Sequence, residues 1–273
     1  MADVLLEKRN DGVALVTLNR PDSLNAMGGT LLEDLADTLA DVERDREVRC
    51  VALTGAGRGF CSGGDVKGFA ARGAGGGDGR PTSVPVTLER SAERLWENVR
   101  GTSLRLHTMR KATVALVNGA AAGAGLSLAL SCDIRLVSDR AKFVPAFGRI
   151  GFSGDFGGSY FLTKLIGYGR AREIYFTGEH VDAQRALELG IANHVYPGDE
   201  LMSKGTEYCA RLAAGAPGVL ARMKENFLRA EFARIEQALE EEAFNHSLSG
   251  LTNDFREGVT AFAEKRDPLF TGD

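Results

Sequence analysis

The chain has 273 residues, too many for a peptide hormone or small disulfide scaffold and enough for one or two domains with a substantial core. Its 33 Lys+Arg against 37 Asp+Glu give a net charge of −4, so no global positive field draws it to a nucleic-acid backbone. With 44% hydrophobic and 26% charged residues it has enough apolar side chains to offset ordering entropy, which excludes general disorder.

Residues 1–11 carry charges on both sides of only three apolar side chains, which cannot form the apolar stretch of a secretory leader. Cys50, Cys61, Cys132 and Cys209 are far apart and form no C-x-x-C pair, the usage of a reducing compartment. A cytoplasmic location is the expectation. Short Val/Leu/Ile runs at 13–18, 50–54, 113–117 and 134–137 predict strands, and Leu31, Leu32, Leu35, Leu39 and Val42 predict an amphipathic helix. Strands apolar on both faces imply helices packed on both sides, hence an α/β core with largely parallel pairing. The glycine-rich stretch 71–79 predicts a mobile loop, either a lid over a site or a tolerated surface insertion.

The apolar run 112–130 is about long enough to span a bilayer, but Asn118-Gly119 is turn chemistry, and the Leu-rich stretch after Gly123-Ala124-Gly125 lacks basic flanking anchors. The run reads as strand, turn and helix. After residue 200 strand signals stop, and helical spacing predicts helices over 201–214, 217–230, 235–248 and 254–265. The expected organisation is an α/β core over 1–200 and an all-helical oligomerisation region over 201–273.

The 34 glycines raise nucleotide motifs first. Gly123-Ala124-Gly125 lacks the third glycine of the dinucleotide fingerprint, and the P-loop pattern is absent. Gly151-Phe152-Ser153-Gly154-Asp155 approaches a serine nucleophile elbow, but Asp155 stands where the final glycine should be, so His180 and His194 leave that reading on inventory alone. Two glycine clusters remain at strand-to-helix junctions, Cys61-Ser62-Gly63-Gly64-Asp65-Val66 and Gly119 to Gly125. Small residues there let a ligand lie on the backbone, where two N–H groups converging on one oxygen make an oxyanion hole; the plain alternative is tight packing of helix on sheet.

The run Val16 to Ala26 (Val-Thr-Leu-Asn-Arg-Pro-Asp-Ser-Leu-Asn-Ala), the run Gly59 to Val66, and Val117-Asn118-Gly119 through Cys132-Asp133-Ile134 resemble the crotonase superfamily of enoyl-CoA hydratases and isomerases. Asp182-Ala183 to Gly190 and Glu257-Gly258 to Pro268 resemble its later signatures, so the likeness covers nearly the whole chain. It implies a spiral of ββα units, a C-terminal helical region that assembles trimers or dimers of trimers, and an acyl-CoA thioester held by the N–H groups of Gly64 and Ala124. Coenzyme A is then part of the substrate, with no separate cofactor, metal or nucleic acid. The same matching puts CoA near Leu24, Ala26 and the turn Ser62, Gly63, Asp65, Val66 and Lys67, with Phe262 and Lys265 reaching a neighbour's CoA. Asp65 also reads as a helix N-cap.

Two departures bear on the chemistry. The resemblance places the paired glutamates of hydratases at Ser127 and Phe147, neither of which is a carboxylate base. Phe147 reads as a wall of the acyl pocket, and Ser127 as a group that orients a ligand or bonds its own backbone. In their place, Ala146 to Ser159 resembles the isomerase subgroup that sets one acid at Asp155, ring-epoxide phenylacetyl-CoA isomerases included. The flanking Phe152 and Phe156 would raise the pKa of that acid. The expected function is an enoyl-CoA isomerase with Asp155, Gly64 and Ala124 as catalytic groups. The alternatives are an enoyl-CoA hydratase, a nucleophilic Asp155 enzyme, and a non-catalytic CoA-thioester-binding subunit.

Overall fold

The computed structural model describes residues 2–65 and 87–273. The expected glycine-rich loop at 71–79, and Val66 and Lys67 with it, lie outside the described residues.

The apolar runs form strands because period-two side chains can bury on both faces of one sheet. Strands β1 (Val4–Lys8), β2 (Val13–Leu18), β3 (Cys50–Gly55), β5 (Ala112–Val117), β7 (Ile134–Ser138) and β10 (His194–Tyr196) make a six-stranded sheet in the order β1-β2-β3-β5-β7-β10. Only β1 runs antiparallel, Val4 facing Leu18. The others are parallel, with Val13 opposite Cys50 and Val114 opposite Ile134. Alternate residues divide between two cores, Val16, Leu18, Leu53 and Val117 on one face and Val13, Cys50, Ala52, Leu116 and Leu136 on the other.

A smaller sheet takes β4 (Gly59–Cys61), β6 (Ala120–Ala122), β8 (Lys142–Val144) and β9 (Val181–Asp182) in that order. Three times in succession one strand enters the large sheet and the next enters the small one, as β3 then β4, β5 then β6, and β7 then β8. These stacked ββα turns are the expected spiral. Helix α1 (Leu31–Arg44) buries Leu31, Leu35, Leu39 and Val42, with Glu33 and Asp34 in its first turn and Arg44 in its last, as the helix dipole favours.

Next come α2 (Leu88–Gly101) and α3 (Ser103–Thr108), and then α4 (Ala124–Ser131), which is buried at every residue and lies between the sheets. Helices α5 (Gly158–Ile166), α6 (Tyr168–Thr177) and α7 (Ala183–Leu189) follow. Helix α8 (Leu201–Ala213) covers the second face of the large sheet through Leu201, Cys209 and Ala213. The final helices are α9 (Pro217–Ala230), α10 (Ile235–Ser249) and α11 (Asn253–Glu264), within a residue of the predicted bounds. Among the described residues no helix is long and apolar enough to cross a membrane, and 112–130 is strand, turn and helix as read. All four cysteines are free and buried, and burial pushes the Cys61 and Cys132 thiols up to about 12.

One polar side chain fixes the turns from which the site is built. Asn25 is fully buried with φ +57; its Oδ1 accepts from Arg20 N at 2.8 Å, and its Nδ2 donates to the carbonyls of Ala56 at 3.0 Å, Gly59 at 2.9 Å and Phe60 at 3.2 Å. Asn25→Ala strands these groups in a dry interior and is expected to lower stability by about 2–4 kcal/mol. Urea unfolding checks this.

Candidate active site

The site lies where β4 and β6 run out into glycine turns. Gly63 takes φ +85, and a Cβ there would stand 2.5 Å from the Ala122 carbonyl oxygen and 3.2 Å from Ala124 N. The two turns therefore touch backbone to backbone. Gly125 sits so close to β4 that a Cβ would collide with the Cys61 carbonyl. Of the two readings of these glycines, tight packing is the one this geometry displays.

The backbone bonds of the turns run from Ser62 N to Leu24 O at 2.9 Å, from Met27 N to Gly63 O at 2.7 Å and from Gly123 N to Val144 O at 2.9 Å. None of these uses the N–H of Gly64 or of Ala124, the first residue of α4, where helical N–H groups lack intrahelical acceptors. Segment 23–26 is laced to the first turn by Ser62 Oγ donating to Ser23 O at 3.1 Å and Cys61 Sγ to Asn25 O at 3.1 Å. Leu24, at φ +52, lies against Gly59, and Ala26 is buried with its carbonyl accepting from Arg20 Nη1 at 2.7 Å. The Asp65 carboxylate sits beside Gly28 with the Arg20 guanidinium, a Cβ on Gly28 standing 3.0 Å from one and 2.8 Å from the other.

Asp155 is carried by a turn of unusual backbone. Gly151, Gly154, Phe156 and Gly157 all have positive φ, and for Phe156 that conformation costs energy the surrounding packing must supply. What holds it is the Phe156 ring, 4% exposed in the main core. Phe152, the other expected flank, is 60% exposed. Burial still pushes the Asp155 carboxyl up from 3.8 to about 6, and its Oδ1 is enclosed without a hydrogen-bond partner. Helix α5 takes its N-cap at Gly157 without a side-chain bond, and the Asp155 carbonyl accepts from Gly158 N at 3.1 Å.

Phe147 lies against the second glycine turn, and Ser127 lies against Gly158, three residues after the acid. Phe147 is buried against Gly123, whose Cβ would stand 3.7 Å from the ring. Ser127, one turn after Ala124, is fully buried, and its hydroxyl donates a long 3.4 Å bond to Gly123 O. A Cβ on Gly158 would collide with that hydroxyl and with the hydroxyl of Tyr175. Tyr175 is the residue sequence reasoning missed: its ring stacks on Phe147 with centroids 6.0 Å apart, and burial pushes its hydroxyl up to about 12. Its sequence signal, an aromatic among exposed residues of α6, does not distinguish it from Tyr168 or Phe176. Phe262, 86% exposed, and Lys265, exposed and left-handed at the end of α11, lie on the single chain's surface.

Residues 8–273 match the family described as Enoyl-CoA hydratase/isomerase. The chain is 36% identical over 272 residues to 1,2-epoxyphenylacetyl-CoA isomerase of Escherichia coli K12, covering 100% of both chains. It is 34% identical over 267 residues to short-chain-enoyl-CoA hydratase of Clostridium acetobutylicum, covering 97% of this chain and 95% of that one. Among solved structures, an enoyl-CoA hydratase from Bacillus anthracis superposes with a TM-score of 0.89 at 28% identity over the full length of both chains. An enoyl-CoA hydratase/isomerase from Mycobacterium abscessus does so with 0.88 at 30% identity, covering 99% of this chain and 100% of that one. With the spiral fold, the paired glycine turns and a match over almost its whole length, the chain belongs to the enoyl-CoA hydratase/isomerase family of the crotonase superfamily.

Proposed function

We propose that this enzyme moves the double bond of an enoyl-CoA by proton transfer through Asp155, with the thioester oxygen held by Gly64 and Ala124 N–H. The observation that carries the reading is the half-buried Asp155 carboxyl, raised to about 6 and unpartnered at Oδ1, beside the wall that joins it to the glycine turns. A carboxylate with a pKa near neutrality accepts a proton readily and gives it back, as a shuttle must.

The Asp155 carboxylate takes the proton from the carbon between the thioester carbonyl and the double bond of a 3-enoyl-CoA. The electron pair of that C–H bond becomes a new carbon–carbon double bond, and the carbonyl electrons move to the thioester oxygen. The dienolate oxygen then faces the Gly64 and Ala124 N–H groups, each such donor worth about 3–4 kcal/mol. Protonated Asp155 delivers its proton to the fourth carbon, the carbonyl re-forms, and the product is the conjugated isomer with Asp155 restored. Leu24, Ala26, Ser62, Gly63 and Asp65 line the CoA path on this reading, and Phe147 walls the acyl group.

Hydration of a 2-enoyl-CoA, with Asp155 activating water alone, is the second reading, supported by the 34% identity to a short-chain-enoyl-CoA hydratase. Comparing kcat/KM over 2-enoyl, 3-enoyl, epoxide and halogenated thioesters separates the two: the isomerase reading expects 3-enoyl turnover to exceed 2-enoyl hydration. Binding without turnover of any thioester contradicts both.

We also propose assembly into a trimer or a dimer of trimers, with Phe262 and Lys265 directed to a neighbour's CoA. On the single chain Phe227, Leu239, Phe244, Val259 and Phe262, all on the last three helices, are each more than half exposed, the kind of apolar surface an interface covers. Light scattering at micromolar concentration should give at least three times the 29.2 kDa chain mass. A stable monomer contradicts the shared site.

A further inference from the structure

Tyr175 stands on α6, most of which faces solvent, yet its ring turns inward and touches the Asp155 turn on both sides. A Cβ on Gly154, one residue before the acid, would stand 3.6 Å from the tyrosine Cε1, and a Cβ on Gly158, three residues after it, would collide with the hydroxyl. The same Gly158 position meets the Ser127 hydroxyl, and Ser127 lies one turn along α4 from Ala124. Tyr175 thus closes a contact chain from the proposed N–H donor through Ser127 and Gly158 to the acid.

The ring contacts with Phe147 and Gly154 are apolar, and a phenylalanine would make them equally well. The hydroxyl adds nothing to them. It is enclosed, and the Ser127 hydroxyl acts on it without meeting it in a hydrogen bond of normal geometry; a buried hydroxyl so loosely satisfied calls for a reason in a native fold.

Resting on the reading of Asp155 as the proton carrier, we propose that Tyr175 is a positioning residue of the active site: its ring fixes the Asp155 turn, and its hydroxyl keeps the wall beside the carboxylate polar. The Asp155 charge helps to raise Cys61 on β4 and Tyr175 on α6. Both are pushed up to about 12, so they stay neutral while Asp155 titrates and supply no counter-charge. Among the described residues burial is the cause of the Asp155 shift and no charged partner contributes, so the neutral Tyr175 hydroxyl beside Gly158 is a polar element at hand.

The test uses the full chain with a 3-enoyl-CoA and records kcat, KM and the pH profile of Tyr175→Phe, Tyr175→Leu and Asp155→Asn. Tyr175→Phe is expected to lower kcat by about 3–10-fold with KM nearly unchanged and to move the acid limb up by roughly half a pH unit, since a less polar wall disfavours the carboxylate. Tyr175→Leu, which also frees the turn, is expected to lose on the order of 10–100-fold in kcat, the cost of a reacting group displaced by about 1 Å. Wild-type kcat and acid limb in Tyr175→Phe overturn the proposal, whether or not Tyr175→Leu folds. Asp155→Asn with full turnover overturns the proton-carrier reading instead, so the two failures are distinguishable.

Discussion

Asp155→Asn is expected to lower turnover of a 3-enoyl-CoA by about 10²–10⁴-fold, the range that positioned acid–base groups supply, with little change in substrate binding. Asparagine keeps the shape of the side chain and the strained turn around it but cannot accept the proton. The wild-type rate should rise with pH through about 6, as the buried carboxyl ionises, and level off above. Stability should move the other way. The folded-state value lies above the ordinary 3.8, so between about pH 4 and 6 the native state holds a proton that the unfolded chain has lost. Stability therefore falls as pH rises through that window, and the cost is fully present above it. A shift from 3.8 to about 6 sets a ceiling near 3 kcal/mol; partial exposure of the group and solvent screening reduce it to about 1–2 kcal/mol. The asparagine variant should be more stable than wild type by that amount near pH 8 and equal to it below about pH 4, which urea unfolding at the two pH values resolves.

Gly63→Ala is expected to cost about 10²–10³-fold in kcat, the loss that follows when one oxyanion donor is displaced. A methyl group at this position meets the Ala122 carbonyl at 2.5 Å and Ala124 N at 3.2 Å, and φ +85 is strained for any L side chain. The turn must back away from α4, separating the Gly64 and Ala124 N–H groups. Binding of a saturated acyl-CoA should weaken far less than turnover, because the donors match the charged enolate oxygen better than the ground-state carbonyl. Gly167→Ala is the control: φ is +79 with nothing within 4 Å of the added Cβ, so it carries the backbone strain without the clash. Equal losses of kcat in the two variants would trace the effect to instability rather than to the donors.

The strands of the large sheet and the late helices were legible because their cause is local. Val13 to Leu18 alternates between two dry faces, and Leu31, Leu35, Leu39 and Val42 recur with the helical period. The strands of the small sheet were not singled out: Gly59–Cys61, Ala120–Ala122 and Lys142–Val144 have three residues each, too few to establish a period. Gly63 and Gly125 announced close backbone approach, since only glycine tolerates it. Asp155 was legible as a buried acid, but for one neighbour rather than two, Phe156 being interior and Phe152 turned to solvent. Tyr175 escaped because its contacts, Phe147, Gly154 and Gly158, lie 17 to 28 positions away on a turn whose path depends on four positive φ values.

Double-bond transfer through Asp155 is decided by the identity of the product that purified wild-type protein makes from a 3-enoyl-CoA, followed by mass and by ultraviolet absorption of the conjugated thioester. The prediction is a conjugated 2-enoyl-CoA of unchanged mass, formed at a rate that collapses in Asp155→Asn. A product heavier by one water with no conjugated isomer, or undiminished conversion by the asparagine variant, would contradict it.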